Sequence, residues 1–195
     1  MNRNLFFEQL RSAIFGRLNQ RHVNGINAIL DAWEAGGYTD LRWLAYMMAT
    51  AYHETGGAMY PVAEWGRGRG KSYGLKRMYN GNPYTKPDRL YYGRGYVQLT
   101  WYENYSNMGR VLGLPLLEQP DMALLPGVAA SIMMEGMTKG RSLRGDFTGL
   151  SLEHYFNLSK EDWLGARKII NGTDRAAAIA AYAKTFYKIL LISFA

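Results

Sequence analysis

The sequence contains no cysteine, so disulfides, thiolate nucleophiles and zinc–thiolate centres are excluded. Its only histidines, His22, His53 and His154, are scattered along the chain and make no metal-ligand pattern. His53-Glu54 begins like a zinc-protease helix, but Gly57 stands where the second histidine belongs. Neither a metal nor any other cofactor is expected. Acids are the scarce charge, 16 against 23 lysines and arginines, for a net charge of +7. That imbalance predicts attraction to a polyanion, and nucleic acid, anionic lipid and acidic cell wall all qualify. Long apolar runs are missing as well. Charges interrupt "LFFEQLRSAIFGRL" near the start, so no secretory signal is read there. The closing "FYKILLISFA" has only about half the length of a membrane span. It reads as a last helix packed on the core, with a tail touching anionic lipid as the alternative.

What is present is a globular composition, 48% hydrophobic and 14% aromatic. At 195 residues, a single domain spanning 1–195 is expected. Helical spacing links Leu5, Phe6, Leu10 and Ile14, with a stop at Gly16. A second helix is predicted over 23–34 and stops at Gly36-Gly37. Thr39 then reads as the N-cap of a helix that runs to Glu54 on a stripe of Leu41, Leu44, Ala45, Met48 and Tyr52. From Gly56 to Gly95, glycine, proline and tyrosine replace helical periodicity. An irregular stretch of that length is more often functional than idle. A small hairpin is expected around 91–99, and helical signals return after Thr100, over 126–139, and from about Lys160 onward.

Two acids bracket the glycine turn in "AYHETGGAMYPVAEWGRGRG". On a helix, Glu54 points away from the core stripe, toward the side of Trp43, Met47 and Thr50. Apolar surroundings disfavour a charged carboxyl, which suits a general acid. Glu64 is followed closely by Arg67, Arg69 and Lys71, and positive charge keeps a carboxylate ionised, as a general base requires. Two acids pushed in opposite directions form the pattern of glycoside hydrolysis. The plain alternative is one local cap and one surface acid in a basic loop.

The stretch "YYGRGYVQLTWYENY", with "HETGG" before it and "ARKIINGTDR" after it, resembles glycoside hydrolase family 19. That family includes plant-type chitinases and lysozyme-like phage endolysins, and the resemblance covers about Leu41 to Tyr187. It implies a mostly α, lysozyme-like, two-lobed domain with a long irregular segment and at most a small β-hairpin beside the cleft. It also implies an inverting mechanism, with Glu54 as general acid and Glu64 as general base, although the spacing of the two acids is one residue longer than in bacterial chitinases. Thr100 matches the hydroxyl that helps hold the attacking water, and Gln98, Asn104 and Asn171 match amides that bind the sugar. Tyr92, with Trp65, Trp101 and Tyr96, offers a flat face for a pyranose ring or else belongs to the core. One departure is Glu103, where chitinases usually carry a tyrosine.

Both candidate substrates, chitin and peptidoglycan, are polymers of β-1,4-linked N-acetylated hexosamine. Arg67, Arg69, Lys71, Lys76, Arg77, Lys86, Arg89 and Arg94 face only Glu64 and Asp88 along 64–94. A stripe of one sign favours the anionic polymer. The expectation is therefore a monomeric endolysin cutting peptidoglycan between N-acetylmuramic acid and N-acetylglucosamine, made in the host bacterial cytoplasm and acting on the cell wall after release. It would have no separate wall-binding module. Chitinase action is the alternative within the family. A non-catalytic wall-binding module is the alternative outside it; such a module has no need of two acids. No nucleic-acid-binding motif is present.

Overall fold

The computed structural model describes residues 1–86, 89–143 and 146–195; Asp88 of the basic stripe lies outside them. Among the described residues six α-helices dominate: α1 (Arg3–Leu10), α2 (Gln20–Ala35), α3 (Leu41–Glu54), α4 (Tyr102–Leu112), α5 (Pro126–Met137) and α6 (Ala176–Phe194). After α1 the chain widens into a π-helical turn, Arg11–Phe15, and stops at Gly16 as expected. The cap of α3 is Asp40 rather than Thr39. The Asp40 carboxylate accepts from the Arg42 backbone N–H at 3.0 Å and from its guanidinium, and one threonine hydroxyl cannot serve both donors.

Helix α3 is the central element. Every residue from Leu44 to Ala51 is buried, so the side carrying Met47 and Thr50 is covered as well as the core stripe. Its largest interface is with α6, which buries Ile179, Ala183, Phe186 and Leu190. Helix α6 is long and apolar enough to cross a membrane, yet 39% of its apolar window is buried within the protein. It thus packs on the core, and it begins later than expected, after a 3₁₀ turn at Gly165–Ile169.

The segment between α3 and α4 is irregular. Its only strands among the described residues are β1 (Val62–Ala63) and β2 (Arg94–Gly95), paired antiparallel with Val62 opposite Gly95. The small hairpin expected around 91–99 is reduced to a single antiparallel bridge, in which Arg94 and Leu99 exchange backbone hydrogen bonds. The ladder, however, forms with the distant β1, a pairing that local sequence cannot signal.

Gly25 fixes how closely this segment approaches α2. A Cβ built there would lie 1.8 Å from the Met59 carbonyl oxygen, and the Tyr96 hydroxyl donates to the Gly25 carbonyl at 2.7 Å. Inside a helix, alanine normally gains about 1 kcal/mol over glycine. Here the clash is with backbone and must win. Gly25→Ala is expected to lower stability by about 1–3 kcal/mol in denaturant unfolding; a variant as stable as wild type would show that this approach is not tight.

Candidate functional site

Glu54 is the last residue of α3, where the chain reverses because Gly56 and Gly57 adopt φ of +59° and +83°. Its Oε1 accepts from Nη1 of Arg167 at 2.7 Å, and the side chains are 18% and 2% exposed. Arg167 sits in the 3₁₀ turn and also donates, through Nε, to the Asp174 carbonyl at 2.9 Å. The surroundings of Glu54 are therefore not simply apolar as expected. Met47 and Thr50 are buried and the Trp43 indole donates to the Phe156 carbonyl, but a buried guanidinium holds the carboxyl. Sequence reading missed Arg167. Its only local mark is its place in "ARKIIN", four residues before Asn171.

Glu64 follows β1 directly. Its backbone N–H donates to the Gly93 carbonyl at 2.7 Å, and its Oε2 accepts from the Gly93 N–H at 3.1 Å. Oε1 accepts from the Tyr73 hydroxyl at 2.5 Å. Burial first, and then this contact with Glu64, push the Tyr73 hydroxyl well above the ordinary tyrosine value, so it remains a donor across the working pH range. The side chains of the expected partners Arg67, Arg69 and Lys71 make no hydrogen bond or ion pair with the Glu64 carboxylate among the described residues. Neutral donors position it instead, and an ionised carboxylate, which only accepts, suits them.

A cavity of about 750 Å³ is lined by Gln98, Thr100, Trp101, Glu103, Asn104 and Asn171, among others; neither acid is among its lining residues. Four of the expected site residues thus share one cavity. Gln98, at φ +54°, donates to the carbonyls of Val62 and Gly95, which ties the cavity wall to the sheet. Thr100 donates its hydroxyl hydrogen to the Gln98 carbonyl at 2.7 Å, which turns its remaining lone pairs outward as acceptors. Tyr73 and Tyr79 meet the Trp101 ring edge-on, at 5.2 and 5.5 Å, linking Glu64 to the cavity. Arg167 lies just before Ile170 and Asn171 in the chain, linking Glu54 to the opposite wall. Glu103 accepts from the Tyr79 backbone N–H at 2.8 Å and so pins the loop at Tyr79 to α4.

The structure does not bring Tyr92 to this cavity. Its ring is buried under the Arg94 guanidinium, 3.6 Å away, and borders a separate depression. Arg94 itself leaves the basic stripe. It is 3% exposed, paired with Asp121 at 2.7 Å, and donates to the Leu90 and Tyr92 carbonyls. Tyr96 is core, whereas Trp65 is 99% exposed.

The family model for chitinase class I matches residues 26–133, which includes both acids, Gln98, Thr100 and Asn104. The chain belongs to glycoside hydrolase family 19. Arg167 and Asn171 fall outside the matched span; the ion pair with Glu54 and the shared cavity join them to the site. An endochitinase of Arabidopsis thaliana is 42% identical over 94 residues, which is 48% of this chain and 31% of the relative. Endochitinase 1 of Theobroma cacao is 33% identical over 90 residues, 40% of this chain and 26% of the relative. The chain thus spans under a third of the length of these curated relatives. A chitinase-like protein of Hevea brasiliensis, named as inactive, is 53% identical over 36 residues, covering 18% of this chain and 12% of its own. Among solved structures, a bacterial family 19 chitinase has a TM-score of 0.64 at 23% identity, over 96% of this chain and 93% of its own. Chitinase C of Streptomyces griseus has 0.62 at 22%, over 96% and 75%. These likenesses show the same fold over 96% of the chain.

The ion pair invites a direct measurement. Arg167→Met would strip a partly buried carboxylate of its donor and leave the Asp174 carbonyl unpaired. Because Glu54 keeps some solvent contact, the expected loss is about 2–3 kcal/mol, below that of a fully buried pair. An unchanged denaturation midpoint would mean that Arg167 does not hold the helix end.

Proposed function

We propose that this family 19 glycoside hydrolase cleaves β-1,4 bonds of an N-acetylated amino-sugar polymer, with peptidoglycan as its substrate. The observation that carries the reading is one amide-furnished cavity tied to two separately held carboxylates, to Glu64 through Tyr73 and Trp101 and to Glu54 through the turn that carries Arg167 and Asn171. Membership alone does not decide activity, given a relative named as inactive, so the assignment rests on the two acids.

Glu54 is the general acid. Arg167 occupies Oε1, so the transferable proton belongs on Oε2, and the guanidinium stabilises the carboxylate left when that proton passes to the leaving oxygen. Glu64, fixed by Tyr73 and Gly93, takes a proton from a water that Thr100 helps to hold, and the resulting hydroxyl attacks the anomeric carbon. Water is thereby added across the broken bond. Gln98, Asn104 and Asn171 supply the donor and acceptor pairs that N-acetyl groups require.

Peptidoglycan is favoured over chitin by the net charge of +7 and by the exposed cations next to Glu64. The cut falls between N-acetylmuramic acid and N-acetylglucosamine. The matching biological setting is an endolysin that acts alone on the bacterial wall, causing lysis. Chitin is the second reading, favoured by the named activity of the plant relatives.

Glu54→Gln keeps an amide oxygen for Arg167 but has no proton to donate. It is expected to lower the rate of wall clearing by about 10²–10⁴-fold. More than a tenth of wild-type activity remaining would remove Glu54 from the acid role. Digests of purified walls and of chitin, analysed by mass spectrometry, separate the two substrates.

Stereochemistry offers an independent check. Acids held by different segments, one at a helix end and one after a strand, suit the separation of about 6.5–9.5 Å that leaves room for a water on the face opposite the leaving group. NMR of a fresh digest should then show the α-anomer first. A β-anomer appearing first would refute the pairing of acid and base.

A further inference from the structure

Immediately after Glu64 the chain forms a ribbon of three consecutive turns. The N–H groups of Arg67, Arg69 and Lys71 donate to the carbonyls of Glu64, Gly66 and Gly68, each at 3.0 Å. Gly66, Gly68 and Gly70 take φ of +78°, +78° and +74°, which places a glycine at every second position. The intervening positions are Trp65, Arg67, Arg69 and Lys71, all exposed. None of these four side chains has a hydrogen bond, ion pair or ring contact among the described residues. The ribbon is nevertheless anchored. A Cβ on Gly74 would lie 1.6 Å from the Gly68 carbonyl oxygen, so the ribbon packs backbone-to-backbone against the segment that presents Tyr73 to Glu64.

A regular, anchored backbone that displays one indole and three cations in a row has no folding role to explain it. An indole at 99% exposure forgoes all the burial open to it. Arg67 also lines a depression of about 440 Å³ with Arg89, which lengthens the cationic path. The acids on that depression are already engaged, Glu118 with Lys86 at 3.4 Å and Asp121 with Arg94 at 2.7 Å.

We propose that the 65–71 ribbon is a binding track for a carboxylate-bearing glycan strand, on which Trp65 stacks against a sugar ring while Arg67, Arg69 and Lys71 pair with carboxylates of the same strand. The proposal rests on the reading of this chain as a glycan hydrolase and names the feature of the substrate that the ribbon selects. A neutral polymer gains only the indole contact, whereas an anionic one gains both. Sugar carboxylates and peptide-stem carboxylates offer the same chemistry to the cations.

The test is binding without turnover. In the Glu54→Gln background, sedimentation with purified peptidoglycan and with colloidal chitin gives the two affinities. Replacing Arg67, Arg69 and Lys71 together by serine should weaken wall binding about tenfold, as expected for three exposed charge contacts. Chitin binding should stay at the parent value, and lysine at positions 67 and 69 should restore most of the wall affinity. Trp65→Ala should weaken binding to both polymers. Unchanged wall affinity in the triple variant, or an equal loss on chitin, overturns the track; unchanged binding of Trp65→Ala to both overturns the stacking contact. Increased salt should erase the difference between parent and triple variant on walls, because exposed charges are screened within about 8–10 Å at moderate ionic strength. If wild type digests walls while the variants bind as the parent does, only the ribbon assignment fails. If wild type digests neither polymer, the hydrolase reading fails, and the binding result still stands by itself.

Discussion

The hydrogen bond between Arg167 and Glu54 joins residues 113 positions apart, and the arrangement of the cleft depends on it. One end is rigid because α3 is clasped by α6 along its buried face. The other end is a short 3₁₀ turn with little intrinsic stability of its own. A guanidinium at 2% exposure is costly unless it is paired, and here a carboxylate takes one donor and a backbone carbonyl another. Satisfying that cation fixes the turn, and the turn sets Ile170 and Asn171 on the cavity wall. A demand of burial energetics thus serves the geometry of the site.

The opposite wall rests on a different device. A sheet of two residues per strand is too small to stand alone. It is held by what surrounds it: Gln98 donates to carbonyls on both strands, and Arg94 is buried over Tyr92 with Asp121 and Tyr105 as partners. Glu64 extends the ladder by exchanging hydrogen bonds with Gly93, so its carboxylate inherits the rigidity of the sheet. One acid is therefore set by a helix end and the other by a strand end. The two can be tuned separately, which suits roles that demand opposite protonation states.

The helices were legible because their signal is local. The stripe from Leu44 to Met48, the stop at Gly16 and the return of helical pattern after Thr100 all became the elements they suggested. Thr39 misled because the choice between adjacent capping residues was decided by Arg42, whose guanidinium also needed a carboxylate. Gln98, Thr100, Asn104 and Asn171 converge on one cavity as the motifs implied, whereas Tyr92 was drawn under Arg94. Arg167, Tyr73 and the pairing of β1 with β2 were not legible, since each acts through a contact whose partner lies well away in sequence or has no periodic mark.

Charge shows why composition is a coarse guide. Counted along the sequence, the stretch from Glu64 to Arg94 is a uniform basic stripe. In the fold, Arg94 withdraws into a buried pair with Asp121, and Lys86 meets Glu118. Arg67, Arg69 and Lys71 remain outward on a glycine-spaced ribbon. Exposed charges act over only about a Debye length, so their effect depends on where they are displayed rather than on the total. Arg67, Arg69 and Lys71 follow Glu64 within seven residues, so this part of the surviving positive charge is displayed on the segment that carries that acid.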